Sequence, residues 1–114
     1  MRYFKVEEFL RCSPSCSVEQ MDMDFMRLLD SCREFAGIPF YLLSAYRSPE
    51  HDRKRGRSGR GYHTLGRAVD ISVSDGSGRW KVLQAATQLG LSIGIYPTFL
   101  HIDNRPNPIV FYGK

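Results

Sequence analysis

Apolar residues recur at intervals of three and four between Ser17 and Ala36, the spacing of one face of an α-helix. Ser17, with Gln20 three residues later, forms a capping-box pattern that predicts the helix start. Gly37 and Pro39 predict the helix end, because glycine favours a left-handed cap and proline prevents the helix from resuming. The predicted buried face consists of Val18, Met21, Phe25, Leu28, Leu29, Cys32, Phe35 and Ala36.

A second helical pattern runs from about residue 78 to residue 89. Ser77 is predicted to cap its start, and Gly90 is predicted to end it. The predicted inner face consists of Trp80, Leu83, Ala86 and Leu89.

Three further stretches have the composition of β-strands. Residues 40–46 are apolar on both faces, which predicts a central strand. Residues 91–96 include Gly94, where a glycine permits close approach of backbone or substrate. Residues 109–112 are predicted to form an edge strand, shielded by the prolines that precede them.

Two other strands alternate so that polar residues share one face. In residues 68–73 every second residue is valine or isoleucine, and Asp70 lies on the opposite face. In residues 99–103 leucine and isoleucine alternate with His101 and Asp103. If both strands belong to one sheet with their apolar residues inward, these three polar side chains emerge on the same surface.

Together the elements predict an α+β domain with a mainly antiparallel sheet, helices packed on one side and a polar open face. The length of 114 residues, with 42% hydrophobic and 25% charged residues, is typical of one globular domain, predicted to span residues 1–114. No apolar run is long enough to cross a bilayer, and charged residues interrupt the amino terminus, so it has no signal-peptide core. We expect a monomer made in the cytoplasm.

The segment at residues 50–60, EHDRKRGRSGR, is basic and rich in glycine. It contains much of the positive charge of a chain whose net charge is +4. Three interpretations compete: a solvated loop, a docking surface for an anionic polymer or acidic peptide, and a nucleic-acid site. The segment has no interleaved aromatic residues, which argues against nucleic acid, and His51 is expected to be exposed.

The three cysteines, Cys12, Cys16 and Cys32, are predicted to be buried or reduced thiols, because an odd number does not suit a disulfide framework. A Cys12 to Cys16 disulfide or an accessory metal site is the alternative.

His63 and Asp70 lie seven positions apart, and Gly66 between them can adopt the positive φ that lets the chain double back. With His101 they would offer two imidazoles and one carboxylate. That set suits zinc and leaves a fourth tetrahedral position open, as in a catalytic site. Taken singly, each of these residues also fits a hydrogen-bonded structural role.

Three motifs carry a resemblance to a known family: Ser44-Ala45-Tyr46-Arg47-Ser48, His63-x-x-Gly66-x-Ala68-x-Asp70 and His101-x-Asp103. In order and spacing they resemble the zinc D-Ala-D-Ala carboxypeptidase and endolysin family. That family belongs to a wider group with D-Ala-D-Ala dipeptidases, murein endopeptidases and the amino-terminal domain of hedgehog. The resemblance extends over about residues 4–105.

The resemblance implies one zinc ion held by His63, Asp70 and His101. It also implies that Arg47 binds the substrate carboxylate or the polarised carbonyl, as a guanidinium can. The neighbouring residues Ser44, Tyr46 and Tyr62 are expected to contact the substrate.

The chain departs from the family at the catalytic carboxylate. Relatives commonly place it three residues before the last histidine, where this chain has Thr98. Asp103, on the same strand face as His101, is the predicted replacement as general base. An alignment with members that end in His-x-His would instead make Asp103 the ligand and His101 the base.

The expected function is zinc-dependent hydrolysis of peptidoglycan stem or cross-link peptides at a D,D or L,D bond. A phage or prophage lysin that acts on the cell wall after release, or in the virion, would fit. Two alternatives are an inactive zinc-binding module of the same fold and a polyanion-binding protein that uses residues 51–60.

Overall fold

The computed structural model describes residues 22–44 and 66–113. Predictions for Cys12, Cys16, the Ser17 cap and the basic segment at 50–60 with His51 lie outside the described residues.

The first helix, α1, spans Met23–Ala36. Its N-cap is Asp22, whose backbone is extended and whose side chain accepts a hydrogen bond from the Phe25 backbone N–H at 2.8 Å. One continuous helix from Ser17 to Ala36 is therefore wrong, because the extended backbone of Asp22 interrupts it. Its predicted end is confirmed, since Gly37 is the left-handed C-cap, with φ 71°.

The predicted buried face of α1 is confirmed at Phe25, Leu29, Cys32 and Ala36, whereas Val18 and Met21 lie outside the described residues. The buried residues are Phe25, Met26, Leu29, Cys32 and Ala36. Phe35 was predicted to be buried but is 63% exposed. At 3.6 residues per turn its side chain lies about 80° around the axis from Phe25, on the side away from Met26.

The second helix, α2, spans Gly76–Gln88. The predicted cap at Ser77 is wrong: the N-cap is Asp75, whose carboxylate accepts from the Gly78 backbone N–H at 2.7 Å. The predicted inner face is wrong at Trp80, which is 60% exposed. The helix is rotated so that the buried positions are Gly78, Val82, Ala85 and Ala86, while Leu83 and Leu89 pack partly against the core.

Five strands form one sheet in the order β1-β2-β4-β3-β5. Their bounds are Leu42–Ser44 for β1, Ala68–Ser72 for β2, Ser92–Ile95 for β3, Phe99–Asp103 for β4 and Val110–Tyr112 for β5. Only the β3–β5 pairing among these strands is parallel, so the predicted mainly antiparallel α+β fold is confirmed.

The central position predicted for residues 40–46 is not seen among the described strands, where β1 has only β2 beside it. Within the described sheet β1 lies at one edge. Phe40 and Leu42 are buried, whereas Tyr41 and Leu43 are exposed, so the strand buries only one face although both faces are apolar. Among the described strands β5 lies at the other edge, as predicted for the last strand.

Both helices contribute to one core with the inward face of the sheet. Val69 and Ile71 of β2 and Leu100 and Ile102 of β4 are buried in this core, as the alternation predicts. Asp70 and His101 lie on the opposite face. In the described part of the chain, no helix is long and apolar enough to cross a membrane.

The thiol of Cys32 offers a test of this core. Cys32 has no exposed surface, and burial raises its pKa to about 12. At pH 8 its thiolate fraction is on the order of 10³-fold smaller than that of a thiol with the ordinary pKa of 9.0. We predict that iodoacetamide leaves Cys32 unmodified in the folded protein and alkylates it in denaturant, as measured by peptide mapping. Rapid alkylation of Cys32 in the folded protein would contradict this packing.

Gly94 offers a second test. A Cβ at this position would overlap the ring of Phe111, the residue of the parallel strand β5 that pairs with Gly94 of β3. We predict that Gly94→Ala lowers the free energy of unfolding by about 1–3 kcal/mol, the usual cost of overpacking. Denaturant titration measures this change. Gly76→Ala is the matched control, because beyond its chain neighbours and the backbone of its own helix no atom lies within 4 Å of the added methyl group. Equal stability of Gly94→Ala and wild type would show that the ring is not held there.

Candidate metal centre

The antiparallel register of β2 against β4 places Asp70 directly opposite His101. Opposed residues of an antiparallel pair have side chains on the same face and in contact range. His101 Nδ1 and Asp70 Oδ1 are 3.2 Å apart. Their side chains are only 12% and 13% exposed, so the pair is shielded from most of the solvent.

This pair fits two ligands of a zinc ion. Zinc binds imidazole nitrogen and carboxylate oxygen at about 2.0–2.1 Å, so two ligands of a tetrahedral ion lie roughly 3.3 Å apart. The observed separation of 3.2 Å agrees with that value. The donor types also suit zinc.

The third predicted ligand, His63, lies outside the described residues, but the turn that follows it is described. Gly66 has a φ of 68°, which confirms the predicted left-handed turn before β2. Its carbonyl accepts a hydrogen bond from the Asp22 backbone N–H at 2.9 Å, so the turn is tied to the start of α1. Within residues 22–44 and 66–113 no three His, Cys, Asp or Glu side chains form a metal-binding group.

Asp103, the predicted base, lies on the other side of His101 and has no exposed surface. Its Oδ2 is 2.7 Å from His101 Nε2 and also accepts a hydrogen bond from Arg105 Nη2. Its Oδ1 accepts from the Arg105 backbone N–H at 3.1 Å and from Arg105 Nε at 2.9 Å. An ionised carboxylate has about four acceptor positions, so all of them are in use.

Arg105 was missed by the sequence reasoning. A signal was present, because residues two apart on an extended chain share a face, and an arginine two positions after an aspartate can pair with it. Phe111 lies beside both His101 and Arg105. The centroid of its ring is 5.7 Å from the centroid of the His101 ring and 5.2 Å from the guanidinium carbon of Arg105. Tyr96 and Phe99 stack beside this group at 4.4 Å.

Charge at the site favours a cation between the carboxylates. Burial alone lowers the pKa of His101, but hydrogen bonds to Asp103 and Asp70 outweigh burial and raise it. Burial alone raises the pKa of Asp103, but hydrogen bonds from Arg105 and His101 hold it well below its ordinary value. The surroundings therefore stabilise positive charge at this position, either as a proton on the imidazole or as a metal ion.

The other predicted site residues are described only in part. Tyr46, Arg47 and Tyr62 lie outside the described residues, so their roles stay predictions. Ser44 pairs with Asp70 across β1 and β2, which places its backbone beside the candidate ligand. Thr98, at the position where relatives carry a carboxylate, is exposed in the turn between β3 and β4.

The fold is similar to the crystal structure of Serratia marcescens L-Ala D-Glu endopeptidase ChiX, with a TM-score of 0.57 and 19% sequence identity. The match covers 89% of this chain and 86% of that one. A comparison with curated proteins finds no significant match.

The sequence profile of the Peptidase M15 family matches residues 2–103. That range includes all three motifs from which the family was predicted, and the prediction is confirmed. Because the profile covers nearly the whole chain, the chain belongs to the Peptidase M15 family.

Proposed function

We propose that the chain is a zinc-dependent peptidase that hydrolyses stem or cross-link peptides of peptidoglycan. The observation that carries the proposal is the shielded pair of Asp70 and His101, whose facing atoms are separated as two zinc ligands would be. Family membership supports peptide hydrolysis. The similarity in fold to an L-Ala D-Glu endopeptidase supports a substrate with bonds between L and D residues.

In this proposal His63, Asp70 and His101 hold the ion. Zinc supplies, when bound, a water of lowered pKa and a Lewis acid for the scissile carbonyl. Arg47 binds a terminal carboxylate of the substrate or the negative charge that develops on the carbonyl oxygen. Ser44, Tyr46 and Tyr62 contact the peptide near Arg47. Hydrolysis adds water across the C–N bond, so one proton has to reach the leaving amine.

An inactive zinc-binding module of the same fold is a second candidate, favoured by two observations. Thr98 replaces the carboxylate that relatives commonly have and is exposed. Asp103, the predicted substitute, has its acceptor positions occupied by Arg105 and His101. A base is therefore not evident among the described residues, although binding of the ion does not need one.

Hydrolysis of muropeptides by the purified protein distinguishes the enzyme from the inactive zinc-binding module. We expect the purified protein to cut defined muropeptides, and we expect chelation to abolish turnover and added zinc to restore it. Products identified by mass distinguish D,D from L,D cleavage and endopeptidase from carboxypeptidase activity. Stoichiometric zinc without turnover at high protein concentration would establish the inactive module instead.

The second prediction concerns the ligands. Asp70→Ala and His101→Ala should each lose bound zinc and reduce turnover to background, because two ligands hold a zinc ion poorly. Metal content measured by mass spectrometry and muropeptide hydrolysis are the two readouts. Asp24→Asn is the control, since the Asp24 side chain is 88% exposed in the first turn of α1. Full zinc content in both ligand variants would refute the site.

The third prediction tests the basic segment. If the chain is a polyanion binder, neutralising Arg53, Lys54, Arg55 and Arg57 together abolishes function and His63→Ala has little effect. We predict the reverse order of damage, because catalysis depends on the ion. Hydrolysis rate and zinc content measured on both variants decide between the two functions.

A further inference from the structure

We propose that Asp103 and Arg105 form a positioning pair that holds the His101 ring so that its Nδ1 faces Asp70 and the ion. This inference rests on the proposed zinc site and gives Asp103 a different role from general base or ligand. Arg105 acts through Asp103 and does not contact the ion.

The two nitrogens of the His101 ring have different partners. Nε2 is 2.7 Å from Asp103 Oδ2, and Nδ1 is 3.2 Å from Asp70 Oδ1. A neutral imidazole has one N–H, and an ionised carboxylate can only accept. A metal-bound imidazole has to be neutral, and in that state the shorter contact favours the proton on Nε2 and leaves the lone pair of Nδ1 toward Asp70. This arrangement matches metal-binding histidines, which commonly donate their other N–H to a carboxylate.

The contacts of Asp103 occupy all its acceptor positions and so oppose a role as general base or metal ligand. Its side chain has no exposed surface, and Arg105 binds both oxygens through its guanidinium in addition to the backbone N–H. To accept a proton from water, or to bind the ion, Asp103 would have to give up one of these hydrogen bonds or the one to His101. A buried charged group that loses such a partner is strongly destabilised.

Arg105 is itself supported from two sides. Its guanidinium lies over the ring of Phe111, and Gly94 leaves the space that this ring occupies. The adjacent residue, Asn104, is bound by Arg67, which donates to its side-chain oxygen at 2.8 Å and to its backbone carbonyl at 3.0 Å. These contacts connect the segment after β4 to the residue before β2, so the pair is fixed relative to Asp70.

Three roles for Asp103 predict three outcomes in variants. A general base predicts that Asp103→Asn keeps its zinc affinity and loses turnover. A metal ligand predicts that Asp103→Asn loses zinc and His101→Ala retains it. The positioning pair predicts that His101→Ala loses zinc, whereas Asp103→Asn and Arg105→Met weaken zinc affinity by about 10–100-fold, as loss of an outer-shell partner does.

Zinc affinity, measured by chelator competition in wild type and these variants, distinguishes the three roles of Asp103. Asp24→Asn is the control for loss of a carboxylate. Thermal unfolding identifies any variant that fails to fold. The ring of His101 is examined in zinc-loaded wild-type protein by long-range ¹H–¹⁵N spectra, which needs no variant. We expect a protonated Nε2 and zinc on Nδ1, with the stated loss of affinity in both positioning variants.

Three results would overturn the inference, and they differ in whether they also remove the proposed function. Zinc on Nε2 of wild-type His101, or unchanged affinity in folded Asp103→Asn, removes the positioning pair and leaves the zinc peptidase intact. A wild-type chain that binds no zinc removes both proposals.

Discussion

The register between β2 and β4 is the constraint on which the candidate site depends. It pairs Asp70 with His101 and is held by the apolar neighbours of both residues, Val69 with Ile102 and Ile71 with Leu100. If one of the two strands slipped by one residue, its apolar side chains would face solvent and its Asp70 or His101 would enter the core. Burial of the apolar face therefore also determines where the polar ligands meet, so the folding pattern and the site have the same physical cause.

Much of this arrangement could be predicted, because strand alternation is a local property. The faces of β2 and β4 and the left-handed turn at Gly66 follow from the residues themselves. The predictions that were wrong concern features that depend on a choice between two possible caps or on contacts between residues distant in sequence. Asp22 provides an N-cap within the predicted helix, and a pattern cannot rank two competing caps. Trp80 is apolar yet exposed, because the smaller residues of α2 fit against α1 and the sheet.

The pairing of Asp70 with His101 on one face of the sheet was predictable, whereas the contacts that surround this pair were not. Asp103 was correctly placed on the face of His101, but its burial could not be inferred from spacing. Whether a carboxylate acts as a base or holds another residue depends on how many donors surround it. That number is determined by the path of the chain after β4, where Arg105 returns over Asp103 and Phe111 covers the guanidinium.

The ion pair of Asp103 and Arg105 is hard to explain as a source of stability. Removing two charges from water costs several kcal/mol per ion, and a well-packed apolar pair of similar volume is often at least as stable. An apolar residue at position 103 would, however, leave Nε2 of His101 without an acceptor and its ring without a preferred orientation. We therefore interpret the pair as a determinant of side-chain orientation. It lowers the stability of the fold but favours the one orientation of the imidazole in which Nδ1 faces Asp70.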